Sequence, residues 1–272
     1  MKTEPNSITT AICHADSTTI NVRGRNLRTD LIGERSFTAY FFFLLTGKEP
    51  TAEQHFFLDA LLVAIAELGL MPSVQAARIT LAAAPEAMQG ALAAGILGCG
   101  SVAVGTSEFA GQMLADGVRR IRAGEGDTDT IAERIVQHAR ERKQRLPGFG
   151  HQTLVPQDPR AERLLELAEE RKVAGAHVAL VKAISRATDR AARKHLTLNV
   201  SGAIPAVMLD LEFPLHSLKT VPLLARTAGI LAHLVEERER PIGHHIAHHI
   251  ENIAGYDGPT LHPQSGSSIA RD

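Results

Sequence analysis

The chain has 272 residues, enough to bury a large core in one or two domains. Its 44% hydrophobic content comes with only 4% aromatic residues and no tryptophan, a composition that favours closely packed helices over a β-sandwich. A formal charge of −1, from 29 basic and 30 acidic residues, gives no electrostatic reason to expect a nucleic acid or a membrane as partner. Any anionic ligand must therefore be held by local arginine and histidine side chains.

The cysteines and the apolar runs indicate the cellular setting. Cys13 and Cys99 are far apart and lack metal-ligand spacing, which is typical of a reducing compartment and predicts no disulfide. Residues 1–9 are polar and carry no apolar signal core. No uninterrupted apolar run reaches about 18 residues, so we predict no membrane-spanning segment and a cytoplasmic location.

The first predicted element is a small β-hairpin over residues 11–22, turning at 14–17. The pattern becomes helical from Ser36, with Gly47 as a C-terminal cap, and Thr51 and Gln54 form a capping-box signature for a helix to Leu68. Further helices are predicted over 72–83, 85–98, 108–123, 131–142, 159–171, 174–194, 204–211, 222–238 and 242–254. The sequence thus predicts an all-α protein with a minor β-hairpin.

The segment 146–160 is the most informative part of the chain. Gly148 and Gly150 flank an aromatic residue and place His151 on a tight turn, where the backbone can approach a ligand closely. The imidazole of His151 can donate a hydrogen bond to a carbonyl or hydroxyl lodged against that turn. This part of the segment is therefore suited to an oxygen-rich ligand.

A helix start follows this turn. Asp158 is predicted as the N-cap and Pro159 as the first helical residue, with an apolar periodic run behind them. Arg160 then adds a cation beside a helix N-terminus. Together with the glycine turn, this unit is suited to an oxyanion or a carboxylate.

These motifs resemble the citrate synthase superfamily, whose signature is a Gly-Phe-Gly-His turn followed by Asp-Pro-Arg. Residues 198–203, Leu-Asn-Val-Ser-Gly-Ala, resemble the family's Leu-Asn-Val-Asp-Gly segment, and Arg226 lies in a stretch similar to its late Arg-x-x-Gly helix. With the opening hairpin included, the similarity runs from about residue 9 to about residue 250. The short chain looks closest to citryl-CoA lyase and to the C-terminal lyase part of ATP-citrate lyase.

The resemblance implies a citrate synthase-like helical fold with a small N-terminal β-hairpin and two domains. A large helical domain would come from residues 1–103 and 201–272, and a smaller helical lid domain from residues 104–200. It also implies a homodimer, because Arg240 in Glu-Arg-Pro matches a run whose arginine reaches into the neighbouring subunit's site.

The resemblance further implies cleavage or formation of a C–C bond in a CoA thioester of a hydroxy polycarboxylic acid. Such chemistry needs a carboxylate base beside the thioester α-carbon, donors for the enolate oxygen and arginines for the carboxylates. Arg226 lies on an apolar stretch where an unpaired guanidinium is costly to bury, which favours a ligand there. The implied roles are catalysis for His151 and Ser201, substrate binding for Arg160, Arg226 and Arg240, and cofactor binding for Gly148, Gly150 and Asn199. CoA or an acyl-CoA is expected as a substrate, with no permanently bound cofactor.

Three departures from the family pattern leave a second interpretation open. Ser201 stands where the family has its aspartate base, and a serine hydroxyl has no useful basicity without an adjacent base. Ala103 and Leu68 stand where relatives carry histidines. The alternative is a catalytically altered homologue that binds a polycarboxylate or CoA ligand or performs related chemistry without a carboxylate base. In the enzyme interpretation, Glu108 or Asp210 would replace the missing base.

Two histidine pairs near the C-terminus lie four residues apart on a predicted helix. The pairs are 244–245 and 248–249, and this spacing occurs in zinc and nickel sites. No carboxylate or cysteine cluster accompanies them in the sequence, so no metal site is predicted.

Overall fold

A computed structural model describes residues 8–100, 105–150, 154–192 and 195–259. Within these ranges the chain is helical apart from one small sheet, so the predicted all-α class is confirmed. The predicted hairpin is part of a three-stranded antiparallel sheet. The strands are β1 (Cys13–Ala15), β2 (Ile20–Val22) and β3 (Arg25–Asn26), in the order β1-β2-β3.

The α-helices follow one another in chain order. They are α1 (Phe37–Thr46), α2 (Ala52–Ala66), α3 (Pro72–Ala83), α4 (Met88–Leu97), α5 (Thr106–Arg122), α6 (Thr128–Glu141), α7 (Pro159–Glu170), α8 (Ala176–Ala192), α9 (Val200–Asp210), α10 (Thr220–Glu239) and α11 (Gly243–Ile253). A helical turn at Leu27–Leu31 follows β3, and a shorter one at Leu215–Ser217 precedes α10.

Side-chain caps explain several of these boundaries. The hydroxyl of Ser36 accepts the backbone N–H of Ala39, and Thr51 forms the predicted capping box with Gln54. Gly47 ends α1 at φ 73°, a left-handed conformation that favours glycine. These caps confirm the helix starts and the stop that the sequence predicted.

Helix α9 begins one turn earlier than predicted. The side chain of Asn199 accepts the backbone N–H of Ser201, so the helix starts at Val200 and not at Ile204. Pro205 lies inside the helix, where its missing N–H leaves no hydrogen bond to the carbonyl of Ser201. The longer helix therefore carries Ser201 in its first turn.

Helix α9 lies at the centre of the larger core. All of its residues from 200 to 208 are buried, and it packs against α2, α5, α7 and α8. A second core forms where α3 and α4 pack against α10, around Val74, Leu81, Ile230 and Leu234. Asn199 and Ser201 lie at the start of α9 and Arg226 lies on α10, so both cores contribute to their positions.

Helices α2 and α10 approach each other closely. A Cβ atom at Gly229 would overlap the carbonyl oxygen of Ala66 at the end of α2. Only glycine fits there, because any side chain would push the two helices apart. This contact fixes the position of α10 along α2.

One segment, Leu215–Glu239, is long and apolar enough to cross a membrane by length and composition. The prediction that no segment spans a membrane stays a prediction, since a core helix of a soluble protein passes the same test. In the fold, 44% of the apolar window is buried, and core helices of soluble proteins have the same properties.

Candidate functional site

The glycine turn is shaped by two left-handed residues. Gly148 has φ 86° and Gly150 has φ 87°, a region where residues with side chains are strained. A Cβ at Gly148 would also lie 2.6 Å from the Cα of Gly202 and 3.0 Å from its nitrogen. Gly148 is thus required both by its conformation and by its contact with the start of α9.

Backbone hydrogen bonds hold this turn against the segment that enters α9. The N–H of Gly150 donates to the carbonyl of Thr197 at 2.7 Å, and the N–H of Asn199 donates to the carbonyl of Gly148 at 3.0 Å. The side-chain amide of Asn199 donates to the carbonyl of Gly150 at 2.7 Å. The structure therefore brings together Gly148, Gly150, Asn199 and Ser201.

His151 and Ala103 lie outside the described residues. What is described is the residue before His151: Gly150 is hydrogen-bonded at both its N–H and its carbonyl. The backbone entering His151 is therefore fixed next to Asn199 and the first turn of α9.

Ser201 is 9% exposed in the first turn of α9. The N-terminal end of a helix carries a partial positive charge, which favours anions nearby. Among the residues that the structure describes, no side chain hydrogen-bonds to the Ser201 hydroxyl. The position thus offers a hydroxyl in a positive field, with no base adjacent to it in the part of the chain that the structure describes.

Asp210 does not provide the missing base. It lies nine residues after Ser201 on α9, about 13 Å away along the helix axis. Its carboxylate accepts the backbone N–H groups of Gly175, His177 and Val178 and pairs with the His177 ring. Burial raises the pKa of Asp210, but these hydrogen bonds outweigh it and lower the pKa overall. Asp210 therefore caps the start of α8.

Glu108 is also not placed beside Ser201 by any contact in the described chain. It lies in the first turn of α5, and its carboxylate is 3.8 Å from the ammonium nitrogen of Lys219. Both side chains are well exposed. The structure gives Glu108 a surface ion pair and no catalytic partner.

Arg160 already has a partner inside the protein. Its Nε and Nη2 donate to the two carboxylate oxygens of Asp158 at 2.9 and 2.8 Å. Asp158 is buried and also accepts the backbone N–H of Val200 at 2.9 Å, so it links α7 to α9. Burial raises the pKa of Asp158, but the hydrogen bonds from Arg160 and Val200 outweigh this effect, so the pKa lies below the ordinary value. A ligand would share the Arg160 guanidinium with this carboxylate.

Arg226 is the most unusual cation of the described chain. It is 5% exposed on α10, and its buried Nη1 has no hydrogen-bond partner among the described residues. Its charge acts on the buried thiol of Cys99: burial raises the pKa of Cys99, and the Ser73 hydroxyl and Arg226 oppose that rise. A buried guanidinium nitrogen without a partner is costly, and an anionic ligand would satisfy it.

Arg240 lies at the other end of α10 from Arg226. Fourteen residues separate them, which corresponds to about 21 Å along the helix axis. Arg240 ends the helix, and its carbonyl accepts a hydrogen bond from Arg78 at 2.8 Å. Arg240 therefore cannot line the same pocket as Arg226 of its own chain.

The sequence analysis missed a group of charged residues around the turn after α2. Glu67 accepts the backbone N–H groups of Leu68 and Gly69, and its Oε2 lies 3.1 Å from Nε2 of His233. His233 in turn contacts Arg78. Leu68, which stands where relatives carry histidine, is thus held in place by Glu67. No local signal identifies this group, because His233 lies 155 residues after Arg78.

Two cavities differ in their position relative to the candidate site residues. A surface cavity of about 410 Å³ between α6, α7 and α8 contains none of the predicted site residues. Its two cations, Lys182 and Arg186, are paired with Glu169 and Asp129. A cleft of about 140 Å³ beside the glycine turn is lined in part by Asp158, and this one adjoins the site.

The described ranges contain no side-chain cluster suited to a metal ion. Nowhere in them do three or more histidine, cysteine, aspartate or glutamate side chains come together to hold a metal ion. Both histidine pairs, 244–245 and 248–249, lie on the exposed side of α11.

A family model for the citrate synthase C-terminal domain matches residues 6–247. Among solved structures, citryl-CoA lyase from Hydrogenobacter thermophilus is similar with a TM-score of 0.82 and 28% identity, covering 95% of this chain and 98% of that one. ATP citrate lyase from Methanothrix soehngenii, solved with citrate and coenzyme A, has the same fold at 20% identity and a TM-score of 0.76, covering 95% of this chain and 43% of that one.

A sequence relative supports the same relationship. The citrate/2-methylcitrate synthase of Bacillus subtilis (strain 168) is 28% identical over 210 residues, which is 74% of this chain and 52% of that protein. The chain thus spans about half the length of the curated relatives it matches, whereas it spans almost the full length of the citryl-CoA lyase.

Proposed function

Because the chain belongs to the citrate synthase family, we propose that it cleaves or forms a C–C bond in a CoA thioester of a hydroxy polycarboxylic acid, as citryl-CoA lyase does. The observation that carries this proposal is the buried, unpartnered Nη1 of Arg226, which calls for an anionic group in the interior. The likeness to citryl-CoA lyase, with a TM-score of 0.82 and 28% identity, supports the lyase reaction. The substrates are then a small polycarboxylate and a CoA thioester, with no permanently bound cofactor and a cytoplasmic setting.

In the cleavage direction, a base takes the proton of the tertiary hydroxyl. The electrons of that O–H bond form the new ketone, the C–C bond breaks, and its electrons pass to the acetyl carbon as an enolate. A proton delivered to that carbon completes acetyl-CoA. His151 would exchange the proton at the hydroxyl oxygen, and the positive end of α9 would stabilise negative charge next to Ser201.

The carboxylates would be held by arginine side chains from α10 and α7. Arg226 would offer its unpartnered nitrogen, and Arg160 would share its guanidinium between Asp158 and the ligand. Gly148 and Gly150, fixed by hydrogen bonds to the 197–199 segment, would let the thioester portion approach the backbone.

Arg240 would complete the site of a second subunit. The distance of about 21 Å along α10 excludes it from the Arg226 pocket of its own chain. A homodimer in which Arg240 crosses to the partner would use both arginines. The proposed assembly is therefore a homodimer.

A second candidate function is favoured by one observation: Ser201 replaces the family's aspartate, and no described carboxylate contacts its hydroxyl. In this alternative the protein binds a polycarboxylate or CoA ligand without the standard reaction, or performs related chemistry that needs no carboxylate base. Both candidates use the same anion site.

The test is turnover of citryl-CoA, and of oxaloacetate with acetyl-CoA, by the native protein, by Ser201→Asp and by the control Ser201→Ala. Turnover by the native protein supports the enzyme. Turnover only in Ser201→Asp supports the altered homologue. Loss of citrate binding in Arg226→Met, measured by calorimetry, supports the anion site in either case. A native protein that neither turns over nor binds these compounds excludes both candidates.

A further inference from the structure

Two oppositely charged side chains are buried together where α3 meets the end of α10. Arg78 is 2% exposed and Glu237 is 4% exposed, and Nε of Arg78 lies 2.5 Å from Oε2 of Glu237. Arg78 also donates to Glu236 at 2.9 Å and, through Nη2, to the backbone carbonyl of Arg240 at 2.8 Å. One arm of a buried guanidinium is thus bound to the backbone of the residue that ends α10.

Glu237 holds the other side of the same turn. Its carboxylate accepts the backbone N–H of Ile242 at 3.0 Å and that of Gly243, the first residue of α11, at 2.7 Å. The carbonyl of Arg240 is therefore bound by Arg78, and the two amides that follow Arg240 in the turn are bound by Glu237. Its backbone has little freedom to turn.

Close packing adds to this restraint. A Cβ at Gly243 would lie 2.6 Å from the carbonyl oxygen of Arg78 and 2.7 Å from the Cβ of Ala82. The backbone of α11 thus lies in close contact with the backbone of α3 at Arg78. The turn between α10 and α11 is fixed from both sides.

Fold stability alone does not require a buried ion pair here. Replacing such a pair by apolar residues of similar volume is often neutral or stabilising, because the desolvation of both charges offsets their attraction. What an apolar pair would lack is the directed hydrogen bonds to the carbonyl of Arg240 and to the amides of Ile242 and Gly243. The ion pair is therefore suited to fixing the direction of the backbone at the end of α10.

We propose that Arg78 and Glu237 are positioning residues that set the direction in which Arg240 leaves the end of α10. This inference rests on the proposed function, in which Arg240 binds a carboxylate in the site of a second subunit. A misplacement of about 1 Å at such a contact is enough to cost up to roughly a hundredfold in rate or affinity. The pair would therefore act on ligand affinity through Arg240.

The experiment is a mutant cycle on the full chain with citrate as the probe, measured by calorimetry at fixed ionic strength. The double variant Arg78→Met/Glu237→Leu is made in the native background and in the Arg240→Ala background. We expect about tenfold weaker citrate binding in the first and no further weakening in the second. The matched control, Arg163→Met/Glu170→Leu, removes an exposed ion pair on α7 and leaves the affinity unchanged.

The outcomes separate a positioning role from a structural one. The inference is overturned if the double variant weakens citrate binding equally in both backgrounds. It is also overturned if the double variant keeps native citrate affinity while Arg240→Ala binds citrate more weakly. An Arg240→Ala variant with native affinity overturns it as well, because Arg240 then has no role to position.

A readout without ligand keeps the inference testable if the native protein binds no citrate, which would instead count against the proposed function. Hydrogen exchange of the amides of Ile242 and Gly243 is compared between the native chain and the conservative variant Glu237→Gln. We expect exchange at least tenfold faster in the variant, since the carboxylate that accepts both amides is replaced by an amide group. Unchanged exchange overturns the inference independently of any ligand.

Discussion

The turn that leads into His151 and the turn that contains Arg240 are stabilised by different kinds of interaction. Residues 148–150 are held by glycine conformations and backbone hydrogen bonds to the segment before α9. Residues 240–243 are held by the buried side chains of Arg78 and Glu237. The first turn tolerates no added side chain, whereas the second depends on two charges that must be present together. The two turns should therefore fail in different ways when mutated.

The largest effect is expected when only one member of the Arg78–Glu237 ion pair is removed. Arg78→Met leaves the carboxylate of Glu237 buried without its cation, and we expect a loss of about 4 kcal/mol in the free energy of unfolding. Urea denaturation measures it. Arg163→Met, which removes an exposed cation of α7, should change stability by less than about 0.5 kcal/mol. A small effect of Arg78→Met would show that Glu237 is adequately held by backbone amides alone.

The backbone-built turn should respond to a single methyl group. Gly148→Ala forces a left-handed residue and a clash with Gly202, and we expect a loss of about 3 kcal/mol. Gly124→Ala is the matched control: its φ is 76°, but nothing lies within 4 Å of the added Cβ. That variant should lose about 1 kcal/mol. Equal losses in thermal unfolding would mean that the contact with Gly202 contributes nothing.

A third, smaller effect should depend on pH. The pKa of Asp158 is lowered overall, so its contribution to stability is present above the ordinary aspartate range and is lost as the pH falls through the lowered value. We expect Asp158→Asn to cost about 2 kcal/mol at pH 7. The difference from the native protein should shrink below about pH 4. Unfolding curves at several pH values measure it, and a constant difference would contradict the assignment.

The smallest effect is expected at Asn199. Asn199→Asp keeps the oxygen that caps α9 but removes the amide that donates to the carbonyl of Gly150. We expect a loss of about 1 kcal/mol in unfolding free energy. Asn199→Ala removes the cap as well and should lose about 1 kcal/mol more. If the two variants were equally stable, the cap of α9 would contribute nothing.

The helices and the glycine turn could be predicted because their signals are local. Gly47, Thr51 and Asp158 each act within a few residues of their own position, so spacing alone reveals the cap. The start of α9 was predicted too late, although Asn199 is an ordinary N-cap residue. The third strand, Arg25–Asn26, was missed because two residues give no periodicity to detect.

The ion pair that holds residues 240–243 could not be predicted, because its signal is not local. Arg78 and Glu237 are 159 residues apart, and each looks like an exposed residue of an amphipathic helix when its own segment is considered. The same holds for the pairing of Asp210 with the start of α8, which removed a candidate base. Long-range pairing of charges is decided by packing, which the local pattern does not contain.

Helix α9 is anchored at both ends to one half of the molecule. At its first residue Asp158 of α7 accepts the amide of Val200, and at its last residue Asp210 accepts the amides that open α8. A helix tied in this way cannot shift on its own. A displacement of α7 or α8 would therefore be passed on to Ser201 at the start of α9. In the proposed site, the separation between Ser201 and Arg226 would then depend on where α7 and α8 lie.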